Sequence, residues 1–201
     1  MTVGYECKAR FFIAGGVFKT LLTGKQPRDV DFWPPSQRAR KVLIDCLLQK
    51  GATHVKEGMY NDIFTIRDLT VEVAKKCEPE TLDARLKRFD IALSAIGVEF
   101  TPGGNWDVRI HPLAKTTIKE RRILLLKPLV NWKHSLASLE RMRRYSQELG
   151  YESPTEEENE IWDVFDSQDF EMQRGMISRF KNSTKGNFGV YEQAIRRVEC
   201  R

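Results

Sequence analysis

The run Phe11-Phe12-Ile13-Ala14-Gly15-Gly16-Val17-Phe18-Lys19-Thr20-Leu21-Leu22-Thr23-Gly24, followed closely by Asp29-Val30-Asp31-Phe32-Trp33, narrows what this chain can fold into more than any other feature. Its apolar start predicts a strand, the paired glycines a turn that opens a short helix, and the second run a strand. Residues two apart in a strand point the same way, so Asp29 and Asp31 share one face while Val30 turns to the other. Two carboxylates placed like this can share a divalent cation. Gly15 and Gly16 lack Cβ atoms and let backbone amides approach an anion, and a helix N-terminus adds partial positive charge. Together these features predict a site for a metal-bound triphosphate.

The order and spacing of these elements resemble the polymerase-beta nucleotidyltransferase superfamily. Within it, the pattern is most similar to the head domain of tRNA nucleotidyltransferases (CCA-adding enzymes) and bacterial poly(A) polymerases. The likeness is dense from Phe11 to Trp33 and sparser, but ordered, to about Tyr151. It implies an α/β (α+β) head with a mixed sheet and flanking helices over residues 1–128, followed by a helical, neck-like region over 129–201. It also implies two Mg²⁺ ions and a nucleoside triphosphate as substrate, with Asp29 and Asp31 on both ions. Glu72 would be the third acid, on the ion that activates the acceptor hydroxyl, and Gly15, Gly16 and Lys19 would hold the phosphates.

Beyond the opening motif the hydrophobic period alternates as such a head requires. Ser36 is placed to cap a helix whose Ala39, Val42, Leu43, Cys46 and Leu47 fall on one stripe, with Gly51 as its stop. Residues 52–56, 61–66 and 69–74 read as strands. In the last of these Val71 and Val73 take the buried phase, which leaves Thr70 and Glu72 on the other face. A lone strand glutamate is as often simply solvated; the resemblance is what assigns Glu72 to the acid set.

Leu86-Lys87-Arg88-Phe89-Asp90-Ile91-Ala92 resembles the family's second motif, Arg-Arg-Asp-Phe-Thr-Ile-Asn-Ala. With Phe89 and Ile91 on the family's Phe and Ile, Arg88 replaces its Asp, Asp90 its Thr and Ala92 its Asn. Since that motif touches the nucleotide's sugar in the family, Arg88 and Asp90 are the nucleotide-binding candidates here. The choice between ribose and deoxyribose does not carry over. Lys19 stands where the family has Arg, keeping a positive charge without the bidentate fork.

From Pro128 onward the pattern is helical. Leu136, Leu139, Met142, Tyr145 and Leu149 recur every three or four residues up to Gly150, as in the family's neck helix, with Arg141, Arg143 and Arg144 interleaved. Arg141 and Arg144 are candidates for gripping a nucleic-acid backbone, although basic residues on such a helix are more often a solvated face. The family's base-reading Glu-Asp-x-x-Arg falls on His134, Ser135 and Ser138 and is absent. Thr155 and Glu158 form a capping-box signal, Lys181–Asn187 reads as a loop, and a last basic helix carries Arg196 and Arg197.

Composition restricts the rest. The 33 Lys and Arg against 28 Asp and Glu give a net charge of +5, which permits a phosphate-rich partner without specifying one. Cys7, Cys46, Cys77 and Cys200 are far apart, with neither zinc spacing nor a disulfide framework, which fits a reducing cytoplasm. No apolar run reaches the roughly 18 residues of a membrane span, the start lacks a signal-peptide core, and no membrane partner is expected. His54, His111 and His134 are scattered, so no histidine catalysis is expected. Three functions fit: nucleotide addition to an RNA 3′ end, with tRNA the natural acceptor; nucleotide transfer to a protein or small molecule, as shortened, toxin-like superfamily members do; and a non-catalytic nucleotide-binding module. The lost base-reading motif and a chain shorter than long tRNA-handling relatives speak for the second. A protein partner or a homodimer is compatible with the sequence, which identifies neither.

Overall fold

The computed structural model describes residues 7–78, 81–183 and 186–199. The chain divides into two compact units. One contains the described residues up to Arg88 together with Leu93–Ala114; the other contains Phe89–Ala92 and the described residues from Lys115 onward. The last boundary between the units lies at 114/115, and Phe89–Ala92, the centre of the second motif, groups with the helical unit.

In the first unit, strands β1 (Phe11–Ala14), β2 (Asp29–Trp33), β3 (Thr53–Glu57), β4 (Asn61–Ile66), β5 (Leu69–Ala74), β6 (Ile96–Thr101) and β7 (Asn105–Ile110) form one sheet in the order β3-β4-β5-β2-β1-β6-β7. The β2–β5 pair is parallel and the other pairs are antiparallel, so the sheet is mixed. Helix α1 (Thr20–Thr23) is a single turn, while α2 (Gln37–Gln49) is the core helix. Ser36 caps α2 by accepting from the Ala39 amide at 3.1 Å, as its position predicts. Leu43, Cys46 and Leu47 of α2 meet Phe11, Val30, Phe32, Phe64, Val71, Val73 and Phe100 from one face of the sheet. Each large side chain fully buried there contributes about 1.5–3 kcal/mol, so this layer is what holds the strands in register.

Strand alternation sends Phe12, Asp29, Asp31, Trp33 and Glu72 to the opposite face. Helix α3 (Leu82–Leu86), capped by Thr81, packs over that face at β6, close enough that a Cβ on Gly97 would lie 2.8 Å from Leu82 Cδ1 and 3.0 Å from Ala14 Cβ. The β6–β7 hairpin and the helix after it, α4 (Pro112–Glu120), are additions to the sequence reading.

The second unit is built on helices α5 (Ser135–Leu149), α6 (Thr155–Asp166), α7 (Phe170–Ser183) and α8 (Val190–Glu199). Leu136, Leu139, Met142 and Tyr145 of α5, Ile161, Trp162 and Phe165 of α6, Met176, Ile177 and Phe180 of α7, and Val190 and Ala194 of α8 are all buried, as the helical period predicts. Gly150 ends α5 with φ +65°.

Two local expectations fail. Pro154 occupies the cap position of α6 and Thr155 makes no capping bond; Glu158 accepts instead from Arg143 at 2.6 Å and from Ser153 at 2.8 Å. A nearby guanidinium outcompetes a backbone amide for that carboxylate. The loop read over Lys181–Asn187 begins too early, because α7 continues to Ser183; Thr184 and Lys185 lie outside the described residues. Among the described residues no helix is long and apolar enough to cross a membrane.

Candidate active site

The paired glycines sit where β1 leaves the sheet. Gly15 adopts φ 116° and ψ −152°, a conformation that excludes a side chain, and its amide donates to the Ile96 carbonyl at 3.3 Å. Gly16 then begins a 3₁₀ turn, Gly16–Lys19, that packs beside β2. The helix that follows is only one turn long, so it brings no long helix dipole to this loop. Lys19, at 8% exposure, is buried and is not a solvated helix lysine.

On β2, Val30 and Phe32 are locked into the core, which forces Asp29 and Asp31 onto the other face, where both are half-buried. Parallel pairing with β5 sets Asp31 level with Glu72 and Asp29 level with Thr70. Asn61, from the adjoining strand β4, donates its amide to Glu72 Oε2 and orients that carboxylate. The three acids expected from the sequence thus share one face on two hydrogen-bonded strands. Among the described residues no three His, Cys, Asp or Glu side chains close into a metal-holding cluster. Mg²⁺ does not require one: it takes one or two carboxylates and completes its shell with water and substrate phosphate oxygens. The donor set fits that mode.

The structure adds neighbours that motif reading passes over. Trp33, two residues beyond Asp31, donates its indole N–H to the Ala14 carbonyl at 3.2 Å and lies under the Arg85 guanidinium, 4.2 Å from ring centre to Cζ. Arg85 is 8% exposed, donates to the Glu78 carbonyl, and has an Nε without a partner. Among the described residues no carboxylate is within ion-pair reach of it, and burial, then the charge of Arg88, pull its pKa down to about 10. A buried guanidinium without an acid is costly unless an anion joins it. Arg85 lies one residue before the family-like motif; its signal is tertiary, a buried cation stacked on Trp33.

Asp90 and Arg141 meet one another. Both carboxylate oxygens of Asp90 accept from Arg141, at 2.6 and 2.8 Å, and Asp90 also accepts from the Ser138 hydroxyl and the Ile91 amide. Burial acts to raise the Asp90 pKa, but Arg141 and Ser138 overcome it and hold the carboxyl below the usual aspartate range; Asp90 in turn raises the Arg141 pKa. Arg144 pairs with Glu140 at 3.0 Å and Glu148 at 3.7 Å, and lies over Tyr145. Both arginines are thus engaged in ion pairs within the helical unit, whereas Arg88, half-buried, ends the sheet unit's segment. At the positions of the missing base-reading motif, Ser138 is committed to Asp90, Ser135 is fully buried, and His134 has its pKa lowered, chiefly by burial. A groove of about 410 Å³ lined by Gln37, Arg40, His54, Glu57, Asp62 and Lys75 lies on the α2 side of the sheet, away from the acids.

This mixed sheet with flanking helices, its glycine turn and its acid-bearing strands, has the fold of a nucleotidyltransferase head. Solved structures with that fold include a tRNA-processing enzyme in an apo form (19% identity, TM-score 0.65, 94% of this chain and 52% of that one). They also include a tRNA nucleotidyltransferase complexed with a primer tRNA and an incoming ATP analog (18%, TM-score 0.64, 95% and 58%), and the Thermotoga maritima CCA-adding enzyme complexed with tRNA (16%, TM-score 0.62, 98% and 45%). The chain spans about half the length of these structures. No protein-family model and no curated protein sequence matches it.

Proposed function

We propose that this chain is a Mg²⁺-dependent nucleotidyltransferase that moves a nucleoside monophosphate from a nucleoside triphosphate to the 3′ end of an RNA, tRNA being the natural acceptor. The observation that carries the reading is Asp29 and Asp31 on one strand face with Glu72 in register beside them, in a head fold shared with tRNA-processing enzymes. Gly15, whose own amide is committed to the Ile96 carbonyl, shapes the turn that presents the Gly16 amide to the triphosphate, and Lys19 and Arg85 supply positive charge for it. Asp29, Asp31 and Glu72 would hold the metal ions, with the Asn61 amide fixing the Glu72 carboxylate. When bound, Mg²⁺ would lower the pKa of the attacking hydroxyl and neutralise the departing pyrophosphate. In the reaction the acceptor oxygen forms a bond to the α-phosphorus, its proton is released, and the bond to pyrophosphate breaks.

A second reading, transfer to a protein or small-molecule acceptor, is favoured by one observation: Ser135 and Ser138 occupy base-reading positions but are buried or bonded within the fold. Incubating the chain with each labelled nucleoside triphosphate and Mg²⁺, with and without tRNA, separates the two. Label on tRNA supports the first and label on protein the second. Asp31→Asn should lower incorporation at least about 100-fold while leaving the melting temperature within a few degrees. If no acceptor releases pyrophosphate, or Asp31→Asn keeps full activity, the enzymatic reading fails.

A further inference from the structure

Strand β7 is an edge of the sheet, and all six of its residues are exposed. Among the described residues its strand partner is β6, so its outer row of backbone N–H and C=O groups faces outward, a ready template for another strand. Its side chains alternate strictly. Trp106, Val108 and Ile110 are 47, 56 and 40% exposed, and they continue the core-side row of β6, where Trp106 meets Phe100 at 5.1 Å and Phe11 at 6.0 Å. Asp107 and Arg109 occupy the other phase.

This order is self-complementary about Val108. If a second β7 runs antiparallel with Val108 opposite Val108, Asp107 of each copy faces Arg109 of the other, and Trp106 of each faces Ile110 of the other. Opposite charges and aromatic–aliphatic pairs directly across an antiparallel ladder are the favourable combinations, and the two-fold axis makes each contact occur twice. The other edge, β3, lacks these properties. Its ladder is broken between His54 and Lys56, a distortion that bends an edge out of pairing range, and antiparallel pairing about Val55 would set those two basic side chains against each other.

We propose that β7 is a homodimerisation edge, joining two copies through antiparallel β7–β7 pairing centred on Val108. The inference rests on the sheet alone and is independent of the chemistry proposed above. Sedimentation or light scattering of the 201-residue chain at tens of micromolar should give twice the 23.3 kDa chain mass; a monomer there overturns the proposal. Asp107→Arg and Arg109→Asp each place like charges opposite one another twice and should each weaken the dimer roughly tenfold. Mixing the two variants puts opposite charges back across the strand pair, so the heterodimer should regain wild-type affinity. A misfolded variant could not be rescued this way. Single variants that dimerise like the wild type, or a mixture that stays weak, would also overturn the proposal.

Discussion

Asp90 can act on a nucleotide or hold the helical unit together, and its surroundings favour the second role. In Asp90→Ala, Arg141 loses both of its carboxylate bonds and Ser138 loses its acceptor. Removing one partner of a buried, hydrogen-bonded ion pair costs about 3–5 kcal/mol. The Arg141 side chain is 33% exposed and can turn toward water, which discounts that figure, and the lost hydroxyl bond adds about 1 kcal/mol, leaving about 2–4 kcal/mol. For a chain of this size each kcal/mol shifts the melting temperature by about 2–4 °C, so thermal denaturation followed by circular dichroism should show a fall of about 5–15 °C. Adding Arg141→Met removes the stranded cation and should return part of the loss. The pH dependence follows from the depressed Asp90 pKa. The group contributes stability above the ordinary aspartate value near 4 and loses it as pH falls through the lower folded-state value. The acid limb of the wild-type stability profile should therefore be steeper than that of Asp90→Asn. If Asp90→Ala melts with the wild type but loses nucleotide affinity, the structural assignment is wrong.

Arg85→Met should leave the melting temperature unchanged or raise it, because it removes a buried cation that no carboxylate among the described residues balances, and should weaken binding of a fluorescent nucleoside triphosphate about tenfold or more. A large drop in stability with unchanged binding would show that Arg85 is only a prop for Trp33. Gly97→Ala forces a Cβ to within 2.8 Å of Leu82 Cδ1 and 3.1 Å of the Ile13 carbonyl, so urea denaturation should register a loss of about 1–3 kcal/mol; an unchanged midpoint would mean that α3 shifts freely on the sheet.

What the sequence made legible was governed by short-range rules. Alternation in Asp29-Val30-Asp31-Phe32 assigns the acids to one face with no knowledge of neighbouring strands, and the Leu43–Leu47 stripe and Ser36 cap define α2. The β6–β7 hairpin is a local signal passed over: Trp106–Ile110 alternates strictly between apolar and charged residues, and only Gly97 weakens the pattern in β6. Arg85 and Asn61 escaped for a different reason: each matters through what it touches, Trp33 and Glu72, across strands and helices whose pairing no local pattern specifies. Arg141 shows the same limit. On a helical wheel it belongs to a basic stripe, and its pairing with Asp90, 51 residues earlier, has no local signal.

The parallel β2–β5 pair has a consequence for how the acid set is assembled. Two parallel neighbours cannot be joined by a tight turn, so the chain passes through α2, β3 and β4 before β5 returns alongside β2. Asp31 and Glu72 are consequently adjacent in space yet separated by that entire crossover. Their approach is a non-local closure of the slow kind, and no short fragment carrying Asp29-Val30-Asp31 can possess the complete acid set. Under the proposed function, recovery of nucleotide transfer during refolding should lag behind recovery of helical signal, making the transfer assay a clock for the docking of β5 beside β2.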